Sequence, residues 1–527
     1  MKRLNKFIAV AMSVTVLMTS FGGLQNVNAT GYSTTPFGEG LVVEDVSEFD
    51  ALAQKFSTSP KSQNSTYPTS TSLPSRVDLS ESPCFPPIGN QGGIGSCTAW
   101  ATTYYQYSFA VNKLNNVQNT SDRVLYSPAW TYNLRNAGNV NYGIGFTDAY
   151  NVLMAQGCLT LDEMPYSLSN YNPNYIPNNT SAMRKALETR VSDYGYYSIS
   201  TYGTVITSNT DSDLTAIKTA LNNGQVLTIA TWNEFNYKYG TGNWSNTKLV
   251  YRCYDDDYSS HAMAVVGYDD NVTCDINGNG IIEAGERGAF KVVNSWGETD
   301  YGANNNGVLW IMYDALNRVS ANGLNESQFS YTREPVFMSG IFHYISVSKK
   351  DVNLVAEVDI TTNYKNQFNL SLIRDLTEIN VLPSNVGYER SYAPIDATLV
   401  FDFGELADPI SDYYTGHSWR IAAGDTLRDG NYTYFHLYIT DNLGNVISDM
   451  ADYNVDGNAY VPTSFMNLQK GDINFDRVID SVDRQYIKDA FFGEITLSNL
   501  QFYLADMNDD GVINSFDLTL ITRIINQ

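Results

Sequence analysis

Gln91-Gly92-Gly93-Ile94-Gly95-Ser96-Cys97-Thr98-Ala99-Trp100 is the stretch that decides the fold of the first half of the chain. Glycines lead up to one cysteine, and the residues from Thr98 to Leu114 lack proline and glycine and repeat apolar residues at helical spacing. This pattern predicts that Cys97 begins a helix, where the helix dipole and unpaired backbone N–H groups favour a thiolate. Gln91, six residues earlier, could fold back and donate its amide to an oxyanion.

A thiolate nucleophile also needs a base and a group that orients the base. The chain has only four histidines, and His261 opens a strand-like run that ends at Tyr268. Asn294 lies in a second strand-like run, Val292-Val293-Asn294-Ser295-Trp296-Gly297. An amide oxygen that accepts from the imidazole would fix its tautomer. The sequence therefore predicts a cysteine nucleophile that is served by His261 and Asn294.

These motifs, in this order, resemble the papain family of cysteine peptidases. The resemblance implies that Cys97 is the nucleophile, His261 the acid/base, Asn294 the orienting residue and Gln91 the oxyanion donor, with Trp296 shielding the histidine. It also implies an α+β, two-lobed fold with a helical lobe and a β-barrel-like lobe over residues 73–344. The chain departs from the family pattern at Thr98 and Ile94. His261 and Asn294 also lie 164 and 197 residues after Cys97, beyond the usual ~130–150, so insertions are expected.

Substrate-binding residues are predicted by the same resemblance. In the family, a glycine-rich segment before a helix pairs with substrate backbone, which makes Gly143 and Gly145 candidates, although an ordinary turn explains them equally well. A helix is expected at about residues 147–156. Ser260 and Ala262, together with a strand at 226–230, would line the pocket for the residue before the scissile bond. That pocket should be small to medium and uncharged.

Composition and charge limit the possible partners. The chain has 527 residues, a net charge of −24 and 17% charged residues. This charge argues against nucleic acid and anionic membranes and suggests cation binding. Apart from Cys97, the four cysteines are Cys84, Cys158, Cys253 and Cys274. Two disulfides in any of three pairings, or four free thiols, remain open.

The N-terminal 72 residues are predicted to be processed. Residues 1–29 have a basic start, an apolar run too short to span a bilayer and a small-residue cleavage site, which is typical of a signal peptide. The mature protein is therefore expected to be secreted and soluble, without a membrane span. Residues 30–72 are expected to be a prosegment or linker, with an exposed, cleavable part at 57–72. Inhibition by this segment and a plain spacer role are both open.

Residues 345–462 alternate apolar and polar residues in three runs, and Asp441-Asn442-Leu443-Gly444-Asn445 is typical of a hairpin turn. We predict a β-sandwich of unknown role. Binding of sugar or peptide is one interpretation, and a structural spacer is the other.

Residues 468–527 contain one pattern twice, with an offset of 34 residues. Each copy has oxygen-bearing side chains at the spacing of a Ca²⁺ loop, with a backbone carbonyl at position 7, followed by a short amphipathic helix. The predicted ligands are Asp472, Asn474, Asp476, Val478, Asp480, Asp483, Asp506, Asn508, Asp510, Val512, Asn514 and Asp517. The duplicated loop and helix resemble the type I dockerin, a small all-α module. The resemblance implies a cohesin of a scaffoldin as partner, contacted by Ser481, Val482, Ser515 and Phe516.

A third loop of this type lies between the His261 and Asn294 runs. Residues 275–286 fit the calcium-loop pattern Asp-x-[Asp/Asn]-x-[Asp/Asn]-Gly-x5-Glu. Its predicted ligands are Asp275, Asn277, Asn279, Ile281, Glu283 and Glu286. A hairpin rich in Asn and Gly that binds no metal is the alternative.

These observations together predict a secreted cysteine endopeptidase that is carried on a cellulosome and contains structural Ca²⁺. Two other functions remain open at this point. The same residues could transfer the acyl group to an amine instead of water, or the fold could bind protein without catalysis.

Overall fold

The helix that starts at Cys97 packs against a large sheet, and this contact organises the first half of the protein. The structure is a computed structural model that describes residues 40–42, 44, 46–54, 73–199, 212–232, 235–253, 260–283, 285–298, 306–316, 340–374, 377–380, 393–403, 419–425, 428–462 and 469–527. The predicted signal peptide and the predicted linker at 57–72 lie outside these residues. No helix in the described part of the chain is long and apolar enough to cross a membrane.

Helix α2 carries Cys97 as its first residue. It begins as Cys97–Ala99, continues as a π-helix over Trp100–Tyr107 and ends as Ser108–Leu114. The sequence predicted a regular helix over this range. Thr102 Oγ1 donates to the carbonyl of Thr98 at 2.7 Å, and such side-chain bonds compete with the backbone for helical carbonyls. All eight residues of the π-helical part are buried.

The described residues of the peptidase half form five other α-helices. They are α1 Val46–Gln54, α3 Pro128–Arg135, α4 Phe146–Ala155, α5 Thr180–Leu187 and α6 Ser212–Asn222. Helix α4 agrees to within one residue with the helix predicted at 147–156.

Nine strands of the described residues form one sheet. Their order is β2-β9-β3-β6-β7-β8-β5-β4, and β1 also pairs with β6. The strands are β1 Arg76–Asp78, β2 Thr189–Ser198, β3 Leu227–Trp232, β4 Phe235–Tyr239, β5 Lys248–Cys253, β6 Ser260–Thr273, β7 Arg287–Val293, β8 Val308–Met312 and β9 Ile341–Lys349. The chain returns to β2 through β9, so the expected boundary at 344/345 falls inside a strand of this sheet.

Two antiparallel sheets follow, as the alternating pattern predicted. One has the order β13-β10-β15-β16 with β17 on β15, and the other has the order β12-β11-β14-β18. The strands are β10 Leu354–Thr362, β11 Phe368–Arg374, β12 Thr377–Asn380, β13 Ile395–Asp402, β14 Trp419–Asp425, β15 Thr433–Asp441, β16 Val446–Asp449, β17 Tyr453–Val455 and β18 Asn458–Pro462. The predicted turn joins β15 to β16, because the Asp441 carboxylate accepts from the N–H groups of Leu443 and Asn445.

The C-terminal segment contains three helices in the described residues, α7 Ser481–Phe491, α8 Asn499–Ala505 and α9 Ser515–Ile525. The sequence predicted α7 and α9 and missed α8, which is only seven residues long. Ile487, Leu500, Leu504 and Ile521 form its buried core.

An ion pair joins the nine-strand sheet to the sheet that contains β13. Arg190 on β2 and Asp402 on β13 are 2.5 Å apart, and both side chains are almost fully buried. Lys365 Nζ also donates to the carbonyl of Asn133 at 2.9 Å. Because these contacts lie in buried surroundings, the sandwich is fixed to the N-terminal half by specific polar contacts.

The cysteines of the described side chains are unpaired. Cys84, Cys158 and Cys274 are buried free thiols. The side chain of Cys253 lies outside the described set. The two-disulfide interpretation is therefore wrong for this structure.

We predict that Arg190→Met lowers the free energy of unfolding by about 3–5 kcal/mol, because it leaves the Asp402 carboxylate buried without its cation. Arg76→Met is the matched control, since Arg76 is half-exposed and pairs with the exposed Glu81 and with Asp78. Asp78 keeps Lys291 as a second cation, and an exposed ion pair is worth under about 1 kcal/mol. Urea unfolding followed by tryptophan fluorescence measures both. Equal midpoints for the two variants would contradict the prediction.

Candidate active site

The Cys97 thiol lies at the start of α2 and is fully buried. Burial raises the pKa of this thiol, and backbone hydrogen bonds from Ala262 and Gly40 lower it in part. Ala262 follows His261 on β6, so the thiol lies one residue from the predicted base. Gly40 comes from the segment that precedes α1.

His261 and Asn294 are in contact, as the sequence predicted. His261 Nε2 and Asn294 Oδ1 are 2.7 Å apart. The ring of Trp296 lies against the imidazole, with ring centroids 4.4 Å apart. His261 Nδ1 is buried and has no hydrogen-bond partner among the described residues. Burial lowers the pKa of His261 to about 4, although the bond to Asn294 raises it.

The Gln91 side chain is oriented by Ser295, the residue after Asn294. Gln91 N–H donates to the Ser295 carbonyl at 2.7 Å, and Ser295 Oγ donates to Gln91 Oε1 at 2.5 Å. Gln91 Nε2 donates one hydrogen bond to the Ile94 carbonyl at 2.8 Å. The amide oxygen is thus held on the Ser295 side, and the amide hydrogens face the loop that leads to Cys97.

Two tyrosines that the sequence analysis missed hold this arrangement. Tyr166 Oη lies 2.7 Å from Ser96 Oγ and donates to the Gln91 carbonyl at 3.0 Å. Tyr105 on α2 donates to the Asn294 carbonyl at 2.9 Å. Neither residue is part of a local motif, and nothing in the sequence beyond its 38 tyrosines pointed to them.

Residues 40–42 run through the cleft above the thiol. Leu41 pairs with Ser260, since Ser260 Oγ donates to the Leu41 carbonyl at 2.7 Å. On the opposite wall, Val42 N–H donates to the Ile144 carbonyl at 3.2 Å. The passage is narrow, because a Cβ placed on Gly143 would lie 1.2 Å from the Gly40 carbonyl oxygen. The predicted substrate-binding residues Ser260 and Gly143 therefore contact this segment.

Glu44 and helix α1 continue the contact beyond the thiol. The Glu44 carboxyl accepts from the N–H groups of Phe146 and Thr147 at the start of α4, at 2.5 and 3.0 Å. Burial, and next the charge of Asp148, raise the pKa of Glu44 to about 8, while its bonds to Thr147 lower it. The predicted substrate-binding residue Gly145 lies against this carboxyl, where a Cβ would come within 2.4 Å of it.

A small cavity lies beneath this segment. It is lined by Val42, Glu44, Phe49, Phe146, Ala230, Ile341 and His343. Phe49 of α1 packs edge-on against His343, with ring centroids 4.7 Å apart. Burial lowers the pKa of His343 to about 3. The wall contributed by α4, β3 and β9 is therefore apolar apart from one neutral imidazole.

The two C-terminal loops, which contain the predicted ligands, share one pattern of hydrogen bonds. Position 1 of each loop accepts from the N–H of position 6, with Arg477 to Asp472 at 3.0 Å and Gly511 to Asp506 at 2.8 Å. Arg477 has a φ of 69°, so it takes the left-handed conformation that usually requires glycine. Asp472 Oδ1 is buried and has no hydrogen-bond partner among the described residues. An oxygen donor set with an orphaned buried carboxylate oxygen fits Ca²⁺.

These loops combine carboxylates with amide and carbonyl oxygens. No group of three or more His, Cys, Asp and Glu side chains in the described residues is arranged to hold a metal. That finding does not conflict with Ca²⁺, because loops of this kind supply part of the coordination from Asn side chains and a carbonyl.

Comparison with protein families identifies the N-terminal catalytic region and the C-terminal region with the two loops. A family model described as papain family cysteine protease matches residues 73–325, and one described as dockerin type I domain matches residues 470–526. Residues 73–325 are a papain-family cysteine peptidase domain, and residues 470–526 are a type I dockerin. The chain is thus a cysteine-type peptidase with a C-terminal dockerin, and the predicted fold class is confirmed.

Solved structures with a similar arrangement share little sequence with the chain. A procathepsin B S9 from Trypanosoma congolense is 15% identical, covers 60% of this chain and 87% of its own, and has a TM-score of 0.34. The digestive procathepsin L2 proteinase from Tenebrio molitor is 15% identical, with coverages of 59% and 84% and a TM-score of 0.33. The clostridial cysteine protease Cwp84 after propeptide cleavage is 16% identical, with coverages of 69% and 92% and a TM-score of 0.33. No curated protein matches the chain.

The four dockerin residues predicted to touch a cohesin are exposed at the first turns of α7 and α9. Val482 and Phe516 are 47% and 69% exposed, and Ser481 and Ser515 precede them. A type I dockerin implies a cohesin partner.

Proposed function

We propose that this protein is a secreted cysteine endopeptidase that hydrolyses peptide bonds through Cys97, His261 and Asn294. The observation that carries this proposal is the 2.7 Å contact between His261 Nε2 and Asn294 Oδ1 beside a helix-terminal thiol, inside a papain-family domain. Asn294 binds the Nε2 atom of His261. The other ring nitrogen, Nδ1, can therefore exchange a proton with the Cys97 thiol.

In the proposed reaction, His261 Nδ1 accepts the Cys97 proton and the thiolate attacks the scissile carbonyl. The backbone N–H of Cys97 and the Gln91 amide donate to the oxyanion. The imidazolium then protonates the leaving amine, and an acyl-enzyme forms. Water, deprotonated by His261, releases the acid. Among the residues that the structure describes, no contact favours acyl transfer to an amine or a non-catalytic role.

Cys97→Ser should lower kcat/KM on peptide substrates by at least about 10³-fold, because a serine at this position has no base matched to its pKa. Cohesin binding should be unchanged, since the thiol and the dockerin are in different domains. Cys84→Ser, which alters another buried free thiol, is the control. Activity of Cys97→Ser near the Cys84→Ser level would refute the assignment.

We also propose that residues 30–72 are a prosegment and that its residues 40–54 keep the peptidase inactive. Residues 40–42 fill the cleft at the thiol, and burial there raises the pKa of Cys97 and lowers that of His261. Both shifts favour the neutral thiol and neutral imidazole over the charged pair. Removal of the segment would rehydrate both groups and favour the thiolate.

Closure of this segment should weaken as pH rises. The pKa of Glu44 is about 8 in the closed form and ordinarily 4.5, so the closed form binds the proton more tightly. The stabilisation of the closed form is full below pH 4.5 and is lost as pH rises through 8. The ionisable groups that face Glu44 among the described residues include Asp148, Glu48, Tyr150, Tyr194 and the neutral His343.

Hydrogen exchange of residues 46–54 in Cys97→Ala, which cannot process itself, tests this pH dependence. Exchange in this variant should accelerate from pH 5 to pH 8 beyond the intrinsic rate. In Cys97→Ala/Glu44→Gln the protection should be weaker and independent of pH. A pH dependence that survives Glu44→Gln would rule Glu44 out as its source.

We propose that residues 275–286 bind a third structural Ca²⁺, in addition to the two of the dockerin. This loop repeats the hydrogen bonds of the dockerin loops position by position. Position 1, Asp275, accepts from position 6, Gly280, at 2.9 Å. Position 12, Glu286, accepts from positions 2 and 9, Ile276 and Glu283, at 2.7 and 2.8 Å. In the dockerin, Asp483 accepts from the same two positions, at 2.7 and 2.9 Å.

The backbone conformation of residues 275–286 also matches that of the two dockerin loops. Position 4 has a φ of 78° in Gly278, 64° in Phe475 and 56° in Asp509, and position 6 is left-handed in all three loops. Glu286 is fully buried and Asp275 is half-buried. The loop joins the end of β6 to the start of β7, so a bound ion would brace the two strands that carry His261 and Asn294.

Native mass spectrometry in Ca²⁺ should find three ions on the full chain. Asp275→Ala/Glu286→Ala should reduce the number to two, and so should Asp506→Ala/Asp517→Ala in the dockerin, which is the control. Two ions on the unmutated chain would show that residues 275–286 are only a turn.

The dockerin supports a place for the enzyme on a cellulosome, outside the cell, through a scaffoldin cohesin. For the sandwich we propose a structural role, because the buried pair between Arg190 and Asp402 ties it to the peptidase. The sandwich also contacts the dockerin, since Asn499 donates to the Val352 carbonyl at 3.3 Å.

A further inference from the structure

The start of helix α4 holds a carboxyl group that belongs to the inhibitory segment. Glu44 Oε2 accepts from Phe146 N–H at 2.5 Å, and Oε1 accepts from Thr147 N–H at 3.0 Å. Thr147 Oγ1 makes a further short contact with Oε1. Glu44 is only 7% exposed. Three donors from two adjacent residues therefore form a built site, and a carboxyl group occupies it.

These donors belong to the peptidase, whereas their occupant belongs to the segment that must leave. Phe146 and Thr147 follow Gly145 on the cleft wall, and Phe146 lines the cavity shared with Ala230, Ile341 and His343. When residues 40–54 depart, the donors stay in the open cleft. They face only water unless a group of the substrate replaces the Glu44 carboxyl.

We propose that the N-terminus of α4 is a substrate subsite that selects an acidic side chain, Glu or Asp. This inference rests on the proposed peptidase function. Gly40 hydrogen-bonds the Cys97 thiol and lies four residues from Glu44 along the chain. The selected side chain therefore lies within four residues of the scissile bond.

The arrangement of donors distinguishes a carboxyl group from an amide. Both Glu44 oxygens accept from N–H groups, so a glutamine in this place would turn its NH₂ group against a backbone donor. A donor that faces a donor loses a hydrogen bond and leaves a buried polar group unsatisfied. An aliphatic side chain would leave all three donors without a partner. The subsite should therefore discriminate Glu from its isostere Gln.

The charges around the site limit the selection to one acidic group. Asp148 accepts from Gly145 N–H at 2.9 Å and caps the same helix. Burial, and next the negative charge of Asp148, raise the pKa of Glu44, and this charge would oppose a second carboxylate in the same place. His343 is neutral there, because burial lowers its pKa to about 3. The attraction for the substrate carboxyl thus comes from the donors of α4.

Processed enzyme that begins near Leu73 can be assayed on peptides that carry Glu or Gln at each of the four positions on either side of the scissile bond. At pH 5 and at one position, kcat/KM should be about tenfold or more higher for Glu, the size expected when Gln leaves a buried backbone donor unsatisfied. Thr147→Val, which removes the hydroxyl donor, should reduce this Glu/Gln ratio at least about threefold. Thr147→Ser, which keeps the hydroxyl, should retain it. Cleavage with ratios within twofold at every position, or an unchanged ratio in Thr147→Val, would overturn the subsite and leave the peptidase function intact.

A binding measurement decides the subsite independently of catalysis. A synthetic peptide of residues 40–54 is titrated into processed Cys97→Ala, and the same peptide with Glu44→Gln is titrated in parallel. At pH 5, where the Glu44 contact still stabilises the closed form, the Glu44 peptide should bind at least about tenfold more tightly, and Thr147→Val should narrow the difference. Equal affinities would overturn the proposal. A lack of cleavage of every peptide, with this tenfold difference present, would refute the proposed peptidase function alone.

Discussion

The hydrogen bond between His261 and Asn294 depends on the pairing of two strands. β6 and β7 are antiparallel neighbours, with Ala264 opposite Val293, so His261 near the start of β6 lies beside Asn294 just after the end of β7. Tyr105 then binds the Asn294 carbonyl from α2. The helix that carries the thiol and the strand end that carries the amide are thereby fixed to one another.

Strand β6 connects the His261–Asn294 pair to other parts of the molecule. Its first residue, Ser260, contacts the segment in the cleft, and the strand pairs with β1, β3 and β7. At its other end, the chain enters the 275–286 loop before it returns as β7. The cleft and the proposed calcium loop are therefore two ends of one strand pair, and anything that orders the loop also limits how the two strands shift.

The sequence predicted those parts of the site that short sequence motifs mark. Glycines before a cysteine, a histidine at a strand start and the loop spacings are short-range signals, and the structure places His261 against Asn294. Tyr105 and Tyr166 were missed, because each acts across a large sequence separation on a backbone carbonyl and no pattern marks such a contact. The short helix α8 was missed for a different reason. Its seven residues are stabilised by burial of Leu500 and Leu504, which local propensity does not reveal.

Glu44 was missed because its partner is a helix terminus formed about 100 residues later. The first N–H groups of any helix lack partners within that helix, and those of α4 open onto the cleft. Whatever fills the cleft must therefore satisfy them or leave them to water. A segment that blocks the thiol gains affinity by providing a carboxyl group there, and the same donors remain when it leaves. The donors that bind the Glu44 carboxyl in the inhibited form are thus the same donors that would bind an acidic side chain of the substrate after the segment has left.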